Sequence, residues 1–93
     1  MPLDNKGKPV LYKPWKNETK SFKKYFVYVK ADNKRGYKKI GFGDKRYQQF
    51  KDKLGHYSHL DHNELKRRKA YYSRHGEATS KNTAKFWSHK ILW

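Results

Sequence analysis

The amino-acid sequence predicts a small α+β domain: a β-hairpin followed by three short helices, with an extended N-terminal arm. Residues 22–31, FKKYFVYVKA, are rich in aromatic and β-branched residues, as strands are, and a turn-like stretch separates them from a second such run. After residue 44, apolar residues recur at helical spacing. We therefore expect an arm over residues 1–20 and one domain over residues 21–93.

The arm contains all three prolines, and Pro9 and Pro14 disfavour helix and favour extended backbone. It also carries large apolar side chains, which a free tail rarely has. We expect Tyr12 and Trp15, together with Trp93 at the other end of the chain, to form assembly contacts with neighbouring subunits.

The alternation of side chains between the two faces of a strand predicts how the hairpin is oriented. Successive side chains of a strand point to opposite faces, so Tyr25, Val27 and Val29 should share one face, and Phe26 and Tyr28 the other. Residues 32–36, DNKRG, have the composition of a turn, and residues 37–42 should return as the second strand.

Three helices should follow. The first is expected over residues 45–52 behind Asp44, the second over residues 62–75, and the third over residues 83–92. For the second, the sequence predicts an N-cap at Asp61, a capping box with Glu64, and a hydrophobic staple between Leu60 and Leu65. Gly76 is the expected stop.

The net charge of the chain indicates which class of partner it binds. The 93 residues contain 24 Lys and Arg against 8 Asp and Glu, a formal net charge of +16, which favours association with polyanions. Nucleic acid is the first candidate and an anionic membrane surface the second. The chain has no cysteine, which excludes disulfides and thiolate metal sites, and it has no apolar run long enough to span a bilayer.

The candidate nucleic-acid contacts are basic side chains in the second helix and the hairpin. They are Lys66, Arg67, Arg68, Lys69 and Arg74, with Lys23, Lys24, Lys38 and Lys39. Rings interleave with the hairpin lysines and could stack on bases. Because cations are spread along the whole sequence, we expect binding to the phosphate backbone without sequence specificity.

An enzymatic alternative depends on the segment 56–63. His59, Asp61, His62 and Asn63 would serve a metal-dependent nuclease. Metal-binding histidines on a helix usually lie four residues apart, whereas His56, His59 and His62 recur every three. We therefore expect no catalytic residues, no metal and no cofactor.

Several short motifs together resemble a family of small basic proteins of unknown function from large DNA viruses and tailed phages. The motifs are FGD at 42–44, HLD at 59–61, the basic helix ending in Arg74-His75, and AKFWSHKILW at 84–93. The resemblance spans residues 25–93 and implies a viral context without any assigned activity.

The sequence thus favours a non-enzymatic, virion-associated structural protein that binds nucleic acid, with DNA favoured over RNA. Other virion proteins are expected partners, membranes are not, and the expected location is the virion, or the host cytoplasm during infection. The alternative is a capsid or connector protein that staples neighbouring subunits through its arm and aromatic C-terminus.

Overall fold

The computed structural model describes residues 2–93, in which a three-stranded antiparallel sheet is combined with two α-helices. The strands, in spatial order, are β1 (Trp15–Lys16), β2 (Lys23–Lys30) and β3 (Tyr37–Asp44). The helices are α1 (Leu65–His75) and α2 (Ala84–Ile91), and a 3₁₀ turn spans Ser58–Leu60. The class is α+β, but the prediction of a hairpin followed by three helices is wrong. No helix within residues 2–93 has the length and apolar character needed to cross a membrane.

The predicted hairpin is confirmed as β2 and β3, which pair with Tyr25 opposite Phe42 and Val27 opposite Ile40. Alternation correctly identified the core face, since Tyr25, Val27 and Val29 are fully buried. These side chains pack with Phe42, Tyr57, Trp87, Ile91 and Leu92. The sheet and α2 therefore enclose one aromatic-rich core.

The third strand comes from the segment expected to be an extended arm. Trp15 and Lys16 pair with Phe26 and Tyr25, and the Tyr12 amide donates to the Tyr28 carbonyl at 2.8 Å. Buried Asn17 then donates from Nδ2 to the Lys23 carbonyl at 2.7 Å, which ties the connection back to β2. Residues 12–17 are thus tied to the sheet, and two of them form its third strand.

Residues 45–61 form turns around buried polar side chains, not the helix predicted over 45–52. The Lys24 ammonium donates to the Tyr47 carbonyl at 2.9 Å and also to the Gln49 side chain. The Tyr47 carbonyl therefore accepts a hydrogen bond from the Lys24 side chain and not from a backbone amide, as it would in a helix. Gln49 and Asp52, at 0% and 4% exposure, also point inward.

Asp61 belongs to the same buried network and is not a helix cap. Its Oδ1 accepts from the Gln49 side-chain amide and from the Asp52 backbone amide, the latter at 2.7 Å. Asn63 has φ +56°, which interrupts any helix before Glu64, the N-cap residue. Leu65 is 70% exposed, so the predicted staple is also absent.

The two helices pack against each other through rings. Tyr71 of α1 stacks on Trp93 with centroids 4.2 Å apart, and its hydroxyl donates to Ser88 of α2 at 3.2 Å. The predicted third helix is confirmed as α2, whose N-cap Thr83 accepts from the Phe86 amide. The predicted stop of α1 at Gly76 is confirmed by its φ of +69°. In α1, Tyr71 is buried and Tyr72 is half-buried against His89, and the other residues are exposed to solvent.

Candidate nucleic-acid interface

The positive charge of the chain is largely uncompensated in the folded structure. Within residues 2–93, ion pairs form only between Arg46 and Asp44, at 2.8 Å, and between Arg67 and Glu64, at 3.1 Å. Both are at the surface, where such pairs contribute little stability. Two further carboxylates, those of Asp52 and Asp61, are used inside the fold. Most of the 24 cations therefore face solvent or neutral partners.

The outward face of α1 is basic. Lys66, Lys69 and Arg74 are exposed. Lys66 and Lys69 lie on the side of the helix opposite Tyr71, its buried residue, and Arg74 lies in the last turn, beside Tyr71 in the helical projection. None of the three side chains has a hydrogen bond or ion pair within the described part of the chain. We call these three residues the α1 basic face. Their ammonium and guanidinium groups are available to an external anion.

The other two predicted cations of α1 have partners within the chain. Arg67 donates to Gln48 at 2.8 Å in addition to its pairing with Glu64. Arg68 donates from Nε to the Trp93 carbonyl at 2.7 Å, and its guanidinium lies 5.2 Å from the Phe50 ring centre. Arg68 therefore fastens α1 to the C-terminus, although it remains exposed.

Three of the four hairpin lysines are exposed: Lys23, Lys38 and Lys39. The Lys39 ammonium lies 4.5 Å from the Phe26 ring centre, a cation–π arrangement. Lys38 is paired across the ladder with Val29, near the turn. The two lysines of β3 are thus held on a rigid strand, with their charges in water.

Lys24, the fourth hairpin lysine, is not available to a ligand, which corrects its assignment to the interface. Its side chain is 1% exposed and its ammonium is bound inside the 45–61 segment. Burial lowers the pKa of Lys24, while the nearby carboxylates of Asp52, Asp44 and Asp61 oppose that shift. The role of Lys24 is to organise the loop.

Basic side chains from three elements meet at a cleft beside β3. A cavity of about 300 Å³ is lined by Lys23 of β2, by His75 at the end of α1 and by Lys85 of α2. Gly41 and Gly43 form part of its wall, where the absence of side chains leaves backbone exposed. Lys85 could not be predicted as part of the interface, because only the docking of α2 brings it beside Lys23.

The three predicted assembly residues all contact rings of their own chain. Tyr12 stacks against Trp87 with centroids 6.4 Å apart, and its hydroxyl donates to Asn82 at 2.7 Å. The ring centres of Trp15 and Tyr28 are 4.8 Å apart, and Trp93 stacks on Tyr71 of α1. Contacts with neighbouring subunits stay a prediction, but these rings do not require them for burial.

The histidines expected in a nuclease site do not converge. Within the described residues, no group of three or more His, Cys, Asp or Glu side chains could hold a metal ion. His62 Nδ1 instead accepts from the Glu64 amide at 3.0 Å, and Nε2 is buried without a hydrogen-bond partner. Burial and the nearby Arg67 lower the pKa of His62, which favours the neutral ring.

One exposed cluster was missed by sequence reasoning. The Arg46 guanidinium lies 4.2 Å from the Phe22 ring centre and 5.6 Å from that of Tyr47, and both rings are more than half exposed. Tyr47 lies in the segment that was predicted as the helix 45–52, so its place beside Arg46 and Phe22 could not be anticipated. Because the Arg46 guanidinium is already paired with Asp44, we do not count the cluster among the candidate nucleic-acid contacts.

The chain matches no family model, no curated protein and no solved structure. The resemblance to viral basic proteins therefore stays a prediction.

Proposed function

We propose that this chain is a non-enzymatic protein that binds the phosphate backbone of nucleic acids without sequence specificity. The observation that carries the proposal is the uncompensated charge: a net +16 with two ion pairs in residues 2–93. Such a surface attracts a polyanion, and each neutralised phosphate releases condensed counterions, which drives binding. A nucleic acid carries many phosphates along one chain and can therefore neutralise many separate cations at once.

The arrangement of the cations supports backbone contact over base reading. They lie on α1, on the sheet and at the cleft between them, and two of the three members of the α1 basic face are lysines. A lysine ammonium is a flexible point charge, whereas base reading in the major groove depends mainly on bidentate side chains in fixed positions. DNA is favoured over RNA, and the protein acts in or on a viral particle; the location rests on the family resemblance alone.

The α1 basic face gives a direct test. Replacing Lys66, Lys69 and Arg74 together with glutamine should weaken DNA binding, and the slope of log affinity against log salt should fall by about 0.9 for each phosphate contact removed. Fluorescence anisotropy with a labelled duplex across a salt series measures both quantities. Because these side chains are exposed, the variant should keep the melting temperature of the parent.

The matched control conserves charge: Lys66→Arg, Lys69→Arg and Arg74→Lys. Since phosphate neutralisation depends on charge and not on side-chain shape, this control should bind about as well as the parent. If the glutamine variant binds with unchanged affinity and salt slope, α1 is not part of the interface.

A further inference from the structure

Four rings form a row across the sheet, on the face opposite the core. The ring centres of Tyr37 on β3 and Tyr28 on β2 are 5.6 Å apart. The ring centre of Trp15 on β1 lies 4.8 Å from that of Tyr28 and 6.0 Å from that of Phe26, which is also on β2. We call these four residues the ring row. Trp15, Phe26 and Tyr37 are partly exposed, and Tyr28 is 8% exposed. The row therefore presents aromatic surface to solvent on a rigid support.

The ring row is separate from the core that holds the fold together. The core cluster takes its residues from the other face of the sheet, from α2 and from Tyr57, and contains no member of the row. Within the described residues, the recorded ring and cation contacts of Trp15, Phe26 and Tyr37 are with one another, with Tyr28 and with two basic side chains. No helix covers these three rings.

Those two basic side chains stand at opposite ends of the row. The Lys39 ammonium is 4.5 Å from the Phe26 ring centre, and the Arg35 guanidinium is 5.3 Å from that of Tyr37. Neither cation forms an ion pair within residues 2–93. Aromatic surface flanked by free cations matches a ligand that alternates flat bases with phosphates.

A cavity continues the row beyond Tyr37. It has a volume of about 440 Å³ and is lined by Tyr37 and Arg35 on one side and by residues 7–9 and Leu11 on the other. Lys8 is among them, so both walls carry a cation. The volume falls in the range of pockets that hold small ligands, about 300–1,000 Å³.

We propose that the ring row is a stacking surface for single-stranded nucleic acid. The inference rests on the proposed function and names the form of nucleic acid that this face recognises. Bases in a duplex are already stacked and cannot reach the rings, whereas those of a single strand can lie on Phe26, Trp15 and Tyr37. Lys39 and Arg35 then move from the rings to adjacent phosphates, and the cavity accepts a base beyond Tyr37.

The test compares a fluorescein-labelled (dT)15 strand with a hairpin duplex of similar phosphate number. In the double variant Phe26→Leu/Tyr37→Leu, leucine keeps apolar bulk but removes the flat aromatic face. We expect affinity for (dT)15 to fall about tenfold or more, since each base–ring stack contributes substantially to single-strand binding. Affinity for the duplex should change by less than about twofold.

Two controls isolate the role of the rings. Tyr47→Leu removes an aromatic ring that is 64% exposed and outside the row, and it should leave (dT)15 affinity unchanged. Phe26→Tyr with Tyr37→Phe retains both rings and should bind like the parent. Circular dichroism melting of each variant checks that the sheet is intact.

The outcomes separate this inference from the proposed function. If the parent binds both nucleic acids but the leucine variant loses nothing on (dT)15, or loses equally on the duplex, the ring row is not a stacking surface and backbone binding stands. An equal loss with Tyr47→Leu would also overturn the assignment to the row. If the parent binds neither nucleic acid, the proposed function itself fails.

Discussion

Replacing Asp61 with alanine is expected to lower the free energy of unfolding by about 3 kcal/mol, because it leaves buried donors without acceptors. Asp61 Oδ1 accepts from the side-chain amide of Gln49, which is fully buried, and from the backbone amide of Asp52. The Asp61 carboxylate is also one of the charges that favour the protonated form of buried Lys24. Urea unfolding of the variant and the parent measures the effect.

Two matched variants test the cause of this loss of stability. Asp32 is exposed in the β2–β3 turn, and Asp32→Ala should change stability by less than about 0.5 kcal/mol. Asp61→Asn keeps an acceptor oxygen while it removes the charge. Its loss of stability should therefore lie between those of Asp32→Ala and Asp61→Ala. A loss below about 1 kcal/mol for Asp61→Ala would show that the network tolerates unpaired donors, contrary to this structure.

Gly43→Ala is expected to destabilise the fold by about 3 kcal/mol, from two causes that add. Gly43 has φ +73°, where a side chain costs about 1–2 kcal/mol. A Cβ there would lie 2.6 Å from Leu92 Cδ1 and 3.0 Å from Lys24 Cδ, and crowding in a packed core costs about 1–3 kcal/mol. Leu92 is 1% exposed, so it has little room to move away.

Gly36→Ala separates strain from crowding. Gly36 has a similar φ of +79°, but no atom lies within 4 Å of an added Cβ. This variant should therefore lose only about 1–2 kcal/mol. Thermal melts of both variants make the comparison, and equal losses at the two positions would contradict the close packing of Gly43 on Leu92.

The parts of the fold that were predicted correctly are those set by local pattern. Alternation from Tyr25 to Val29 identified the core face of β2, and the spacing of Phe86, Trp87 and Ile91 identified α2. The third strand could not be predicted, since its two residues are defined only by pairing with β2. Asp61 has the sequence context of an N-cap, but Gln49, twelve residues earlier, binds its carboxylate instead.

For the candidate site too, local features of the sequence were informative, whereas long-range contacts could not be predicted. Composition predicts that the chain binds polyanions, but it could not show which lysines are exposed. Lys23 and Lys24 are neighbours in sequence, yet Lys24 is buried because Tyr47 and Gln49, more than twenty residues away, supply its acceptors. Arg68 likewise is directed to the Trp93 carbonyl by a contact that only the docking of α1 creates. Long-range packing thus decides which cations are available.

The most direct test of the central claim is the salt dependence of DNA binding by the intact chain, on two duplexes of unrelated sequence. Log affinity should fall linearly with log salt on both, with the same slope, at about 0.9 for each phosphate neutralised, so that several contacts give a steep decline. Affinity that stays flat between low and physiological salt, or that differs strongly between the two duplexes, would contradict sequence-independent backbone binding.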